Sequence, residues 1–329
     1  MLIRPRRNRS SASIRALLRE TFLGPEHLVL PMFVQNGENE SSPIPSMPGV
    51  SRHSVDRLVR QASHAFDLGI VAVALFPALS EDEKDPEGTE SCNPDGLLQR
   101  AVRALKRELP DLLVITDVAL DPYSSDGHDG LLIDGRIDND RTLPILASMA
   151  IAQAQAGADL VAPSDMMDGR IRAIRTALDA AGFSSVGICS YCVKYASALY
   201  GPFRDALDSA PKSGDKRTYQ MDPANRRECL REIELDEAEG ADILMVKPGL
   251  HYLDIVRLVR DRSHLPVAAY HVSGEYAMLK AASAQGWLDY DRALLETMLC
   301  LRRAGADLVF TYAACDVARL LAGTSTASD

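Results

Sequence analysis

Short, nearly continuous apolar runs recur along this chain, separated by stretches in which apolar residues return every three or four positions. Eight such runs can be read: Leu28–Val34, Ile70–Phe76, Leu112–Leu120, Leu160–Ser164, Val186–Tyr191, Ile243–Lys247, Val267–Ser273 and Leu308–Tyr312. Runs of this length without alternation are expected of strands buried on both faces. The stretches Leu97–Leu109, Leu143–Gln155, Ile171–Ala181, Leu253–Arg260 and Ala293–Ala304 have helical spacing. One phrase repeats at four junctions: Leu68-Gly69-Ile70, Ala156-Gly157-Ala158-Asp159, Glu239-Gly240-Ala241-Asp242 and Ala304-Gly305-Ala306-Asp307. A glycine between a helical stretch and an apolar run predicts a helix C-terminus feeding directly into a strand. Eight buried strands alternating with helices predict an α/β fold, a (β/α)8 barrel. A doubly wound open sheet is the alternative, but no Gly-x-Gly-x-x-Gly follows the first run.

The barrel expectation places chemistry at one end, since active sites of this architecture lie at the C-terminal ends of the strands. Unusual polar residues do gather there: Asp117 and Asp121 at the third run, Ser164 and Asp165 at the fourth, Lys194 just beyond the fifth, Lys247, Ser273 and Tyr312 closing the sixth to eighth. A lysine closing a buried strand gives up hydration. Two of them on neighbouring strands repel, which lowers at least one pKa and leaves an amine able to attack a ketone. After Lys194 comes a long excursion containing Gly201-Pro202-Phe203-Arg204 and Ser213-Gly214-Asp215-Lys216, which reads as a lid whose Arg204 and Lys216 suit a carboxylate. The segment from Asp117 to Gly130 is rich in aspartate. Its carboxylates fit a hard cation or acid–base work, and equally an ordinary turn cluster.

The length, 329 residues, suffices for one large α/β domain or two domains. A net charge of −10 argues against general nucleic-acid binding, and no apolar run reaches the length of a membrane span. Six scattered cysteines are expected to be reduced thiols of a cytoplasmic protein; Cys189-x-x-Cys192 has redox spacing but reads better as core. Residues 1–26 carry six arginines and little core. They are expected to be either a solvated tail or an N-terminal arm making subunit contacts, with the barrel occupying 27–329.

Several segments together carry a resemblance: Leu30-Pro31-Met32-Phe33-Val34, Met47-Pro48-Gly49-Val50, Ala162-Pro163-Ser164-Asp165-Met166-Met167-Asp168-Gly169-Arg170, Tyr200-Gly201-Pro202-Phe203-Arg204-Asp205, Met245-Val246-Lys247-Pro248-Gly249 and Tyr270-His271-Val272-Ser273-Gly274-Glu275. Over nearly its whole length the chain resembles the porphobilinogen synthase (5-aminolevulinic acid dehydratase) family. The resemblance implies condensation of two 5-aminolevulinate molecules to porphobilinogen with loss of two waters, an early step towards tetrapyrroles. It implies that Lys247 and Lys194 form the two Schiff bases. It assigns one substrate carboxylate to Arg204 and Lys216, the other to Ser273 and Tyr312, and lid roles to Phe203 and Gln220.

The resemblance also bears on metals and assembly. Zinc-dependent relatives place three cysteines where this chain has Ala119, Asp121 and Asp129, so no catalytic zinc is expected. Asp121 and Asp129 are left to hold Mg2+ or a monovalent cation, or to act without metal. Glu232, by itself a residue of a solvated helix face, matches a glutamate that ligates an allosteric Mg2+ in magnesium-responsive relatives. Those relatives are homo-octamers built from arm-exchanging dimers. Two departures stand out: Asp126 where a histidine is common, and Leu250-His251 where Met-Pro is usual. A lysine-dependent aldolase, a catalytically inactive barrel and an arm-based nucleic-acid binder are the competing readings. The second lysine, Lys194, counts against the first two.

Overall fold

The computed structural model describes residues 1–323. Eight parallel strands form its centre: β1 (Leu28–Gln35), β2 (Ala72–Ala78), β3 (Leu113–Val118), β4 (Leu160–Pro163), β5 (Gly187–Lys194), β6 (Ile243–Lys247), β7 (Val267–His271) and β8 (Leu308–Thr311). Each pairs with the next, and β8 returns to β1 through Leu28 beside Val309 and Val29 beside Phe310, closing the barrel. Around it run α1 (Val55–Asp67), α2 (Leu97–Glu108), α3 (Asn139–Ala156), α4 (Arg170–Ala180), α5 (Glu228–Glu239), α6 (Leu253–Arg262), α7 (Tyr290–Ala304) and α8 (Ala314–Leu321). The (β/α)8 expectation holds, and the open sheet is excluded by the β8–β1 pairing.

The repeated phrase has a physical meaning at the N-terminal end of the barrel. Gly157 (φ +106°) and Gly240 (φ +102°) take the left-handed conformation that ends α3 and α5. The aspartates two residues on reach sideways to the preceding strand. Asp159 accepts from Val114 N at 2.7 Å, Asp242 from Ile188 N at 2.7 Å, and Asp307 from Val267 N at 2.9 Å. Each carboxylate satisfies a strand-start N–H that has no ladder partner. Lys106 pairs with Asp159 at 3.0 Å and Arg260 with Asp307 at 2.8 Å. These residues of the lower rim hold the barrel together and lie at the end away from the lysines.

The helices begin and end where caps allow. Asp138 accepts from Arg141 N and starts α3 four residues before the Leu143 expected from periodicity; Asp289 does the same for α7 through Arg292 N. Ser273 does not close a strand. β7 stops at His271, and Ser273 opens an additional helix, Ser273–Ala284. A second additional helix, Gly201–Leu207, lies in the excursion after β5. In residues 1–26 a 3-10 turn (Pro5–Arg9) and a short helix (Ala12–Leu17) bury no residue, and Leu2, Ile3, Leu17 and Phe22 stand exposed.

Candidate active site

Lys194 and Lys247 stand level with one another at the top of the barrel, on β5 and β6. The register that aligns them depends on a bulge. Leu244 lies beside Ser190, yet Val246 lies beside Val193, so β5 carries one residue more than β6 over this span. Ser190 faces outwards, where its hydroxyl meets the Arg170–Asp236 pair. Strict alternation would send Lys194, four residues on, to the same outer side. The extra residue turns it inwards with Tyr191, whose ring centre is 5.0 Å from Lys247 Nζ.

The two lysines have different surroundings. Lys194 Nζ donates to Asp129 Oδ2 at 3.1 Å and to the Ser164 carbonyl. Lys247 Nζ has no carboxylate against it among the described residues. It sits among four rings, those of Tyr191, Tyr200 (5.3 Å), Phe203 (5.0 Å) and Tyr270 (4.6 Å). Burial, aided by repulsion from Lys194, pushes its pKa down to about 7. Around neutrality a large share of Lys247 is therefore a free amine.

The aspartates of the Asp117–Gly130 segment complete the charge balance. Asp129 accepts from Lys194 on one oxygen and Lys216 on the other, and Gln220 Nε2 approaches it at 3.5 Å. Burial alone would raise Asp129, but the two lysines outweigh it and hold the carboxyl well below the usual range. Lys216 also reaches Asp121 at 3.2 Å, and these carboxylates keep its ammonium charged despite burial. Asp117, at the end of β3, is pushed up to about 7 by burial and by Asp121. Its Oδ1 is buried and unpaired among the described residues. The site thus holds an amine and a carboxyl both poised near neutrality beside a lysine paired with Asp129, which suits imine formation and proton transfer at one carbonyl carbon.

The excursion after β5 covers this pocket. Phe203 packs on Phe76 at 5.2 Å and Phe33 at 5.7 Å, and its N–H donates to Ser273 Oγ at 3.0 Å. Tyr312 joins the rim by a 3.1 Å hydroxyl contact to Tyr270 and by stacking on Phe33. His128 locks the acidic segment to the lid, contacting Tyr219 Oη at 3.1 Å and the Ser213 carbonyl at 2.9 Å. A cleft of about 1110 Å3 beside the lid is lined by His128, Tyr219, Gln220 and Glu232 but by neither lysine. Both lysines are buried.

The structure therefore gathers Lys194, Lys247, Asp117, Asp121, Asp129, Lys216, Gln220, Phe203, Ser273 and Tyr312 into one region. Arg204, on the lid helix, makes no ion pair among the described residues. Glu232 stands apart on α5, outside the barrel, where burial and the neighbouring Asp236 and Asp168 push its carboxyl up to about 7 against the pull of Arg170. Among the described residues no three acidic, histidine or cysteine side chains gather in a metal-binding group. Tyr191 was expected at the upper end of its strand beside Lys194, but the enclosure of Lys247 by Tyr200 and Tyr270 was not anticipated. Part of the signal was present, since Tyr191 ends an apolar run and Tyr270 lies within another, on the strands flanking β6.

Fold and site define a class, the (β/α)8 enzymes with paired lysines at the C-terminal ends of their strands. A family model described as delta-aminolevulinic acid dehydratase matches residues 2–320. The chain belongs to this delta-aminolevulinic acid dehydratase family. The chloroplastic dehydratase of Glycine max is 56% identical over 322 residues, covering 97% of this chain and 78% of that protein. The dehydratase of Bradyrhizobium diazoefficiens is 55% identical, over 95% of this chain and 89% of its own. A crystal structure of the Toxoplasma gondii ME49 enzyme with its product porphobilinogen superposes with a TM-score of 0.96 at 53% identity, covering 97% of this chain and 92% of that one.

Proposed function

We propose that this chain is a porphobilinogen synthase, condensing two molecules of 5-aminolevulinate to porphobilinogen with loss of two waters. The observation that carries the reading is the level placement of Lys247, buried among rings with its pKa lowered to about 7, and Lys194, paired with Asp129. The free amine of Lys247 adds to the ketone of one substrate, and loss of water leaves an iminium. Lys194 takes the second substrate in the same way once its proton has passed to a neighbouring carboxylate. Asp117, near neutrality and with an unpaired oxygen, is the proton carrier between them. Carbon–carbon and carbon–nitrogen bond formation then release both lysines as the ring closes.

Arg204 supplies a carboxylate anchor on the lid, joined by Lys216 when it leaves Asp121 and Asp129. Ser273 and Tyr312 serve the second carboxylate, while Phe203 and Gln220 exclude water. Lys216 and Lys194 already neutralise Asp129 on both oxygens. This charge balance supports chemistry in which the acidic segment needs no cation, and a cation on Asp121 and Asp129 would have to displace Lys216.

Glu232 is the proposed anchor of a stimulating Mg2+. One carboxylate without a gathered donor set fits a cation that keeps most of its water shell. Residues 1–26, with apolar side chains exposed on a mostly basic segment, are the proposed subunit arm of an octamer. No helix among the described residues is long and apolar enough to cross a membrane, and all six cysteines are free thiols, which favours a cytoplasmic setting. The direct test supplies 5-aminolevulinate and follows porphobilinogen by NMR. The chain should form it, while Lys247→Met and Lys194→Met should not. Unconsumed substrate, or full turnover by Lys247→Met, would overturn the proposal.

A further inference from the structure

The lid helix Gly201–Leu207 is held from outside the pocket by two cations that the reaction does not call upon. A helix this short has little stability of its own, and the carbonyls of its last turn lack intrahelical partners. Arg52 and Lys84 supply them. Arg52, on the short strand Ser51–His53 beside β1, donates from Nε to Ala206 O at 2.5 Å and from Nη2 to Asp205 O at 2.7 Å. Lys84, in the loop after β2, donates from Nζ to Asp208 O at 2.9 Å, across 124 positions of sequence. Asp208 is the left-handed residue (φ +49°) that ends the helix.

Lys84 is an unusual residue to find in this role. Its side chain is 1% exposed and pairs with Glu81, whose Oε1 lies 2.9 Å away. The other oxygen of Glu81 takes Lys212 at 2.6 Å, further along the same lid. A buried ammonium is costly to place, and cations are favoured where a helix ends. Both facts concentrate on the carbonyl of one lid residue. The opposite end of the helix is pinned by Ser273 through Phe203 N. Between the two pins the helix carries Phe203, 5.0 Å from Lys247 Nζ, and Arg204, which makes no ion pair among the described residues.

We infer that Lys84 and Arg52 are positioning residues for the reaction. By capping the lid helix they set where Phe203 and Arg204 stand above Lys247, and thereby the affinity for substrate. This rests on the synthase reading and extends it to residues on the far side of the lid.

The test is steady-state kinetics of Lys84→Met and Arg52→Met, with a thermal melt of each to establish folding. Each should raise KM about tenfold and leave kcat within about twofold, the pattern of lost uniform binding. In an Arg204→Met background, Lys84→Met should add almost nothing, because both changes remove the same contact. A merely structural role predicts additive losses or a fall in kcat at unchanged KM, and either overturns the inference. Should Lys84→Met fail to fold, Lys212→Met, at the exposed outer half of the latch, should still raise KM by a smaller factor; an unchanged KM there overturns the inference too. Absence of porphobilinogen formation by the unaltered chain would instead overturn the synthase reading. Normal turnover with unchanged KM in Lys84→Met would overturn this inference alone.

Discussion

Replacing Lys194 by Met should make Lys247 a weaker nucleophile at neutral pH without touching it. A lysine at its ordinary pKa of about 10.4 is neutral in roughly one molecule of 2,500 at pH 7. Lys247, at about 7, is neutral in about half. Burial is the larger cause of that lowering and survives the substitution; repulsion from Lys194 is the second and is removed. A like charge at close range moves a midpoint by roughly 1–3 pH units, and the Asp129 carboxylate 3.1 Å from Lys194 screens the effect to the low end. The midpoint of Lys247 should therefore rise to about 8, and the neutral fraction at pH 7 should fall to about a tenth. The assay is the initial rate of borohydride-trapped 5-aminolevulinate on the Lys247 peptide, read by mass spectrometry from pH 6 to 9. The variant should trap about fivefold more slowly at pH 7 and at the same rate at pH 9. A midpoint that stays put or falls, or an equal loss at both pH values, refutes the argument.

Lys247→Met should abolish turnover and yet raise stability towards unfolding at neutral pH, because it removes a buried amine held far from its preferred ionisation. The sign follows from proton binding. Between pH 7 and about 10.4 the unfolded chain binds more protons at Lys247 than the folded one, so the native protein gains stability as pH rises and the advantage of the variant shrinks. Urea unfolding at pH 7 and pH 10 reads both effects. Asp159→Ala, at the lower rim, should cost about 1–3 kcal/mol in the same assay through the lost Val114 N–H and Lys106 contacts, with kcat unchanged. Glu232→Gln should abolish stimulation by added Mg2+ in a turnover titration while basal activity persists; an unaltered Mg2+ response would remove Glu232 from that role.

Much of the barrel was legible because its signals are local. Buried parallel strands demand continuous apolar runs, and the glycines at 157, 240 and 305 mark helix ends that only a residue without Cβ adopts easily. The two lysines were legible because charge at the end of such a run is costly. What escaped is what depends on register and on distant partners. The bulge on β5 leaves no mark in composition, yet without it Lys194 would face α5 rather than the pocket. Ser273 was read as a strand end because Val267–Ser273 is apolar almost throughout; the Glu275 carboxylate, accepting from Val272 N at 3.0 Å, begins a helix there instead. Asp121 and Asp129 were read as cation ligands, acid–base groups acting without metal, or turn residues. Their ammonium partners, Lys216 and Lys194, lie 95 and 65 positions away. Lys84 and Arg52 sit in polar segments with no periodicity, so nothing local distinguishes them from solvated surface.

The account depends above all on Lys247 and Lys194 being the amines that hold substrate. The most direct measurement is borohydride reduction in the presence of 5-aminolevulinate, with and without EDTA, followed by peptide mass spectrometry. The account predicts substrate mass on the Lys247 peptide under both conditions, and on the Lys194 peptide at higher substrate concentration. Adduct on neither lysine, with the protein folded and substrate in excess, would contradict it.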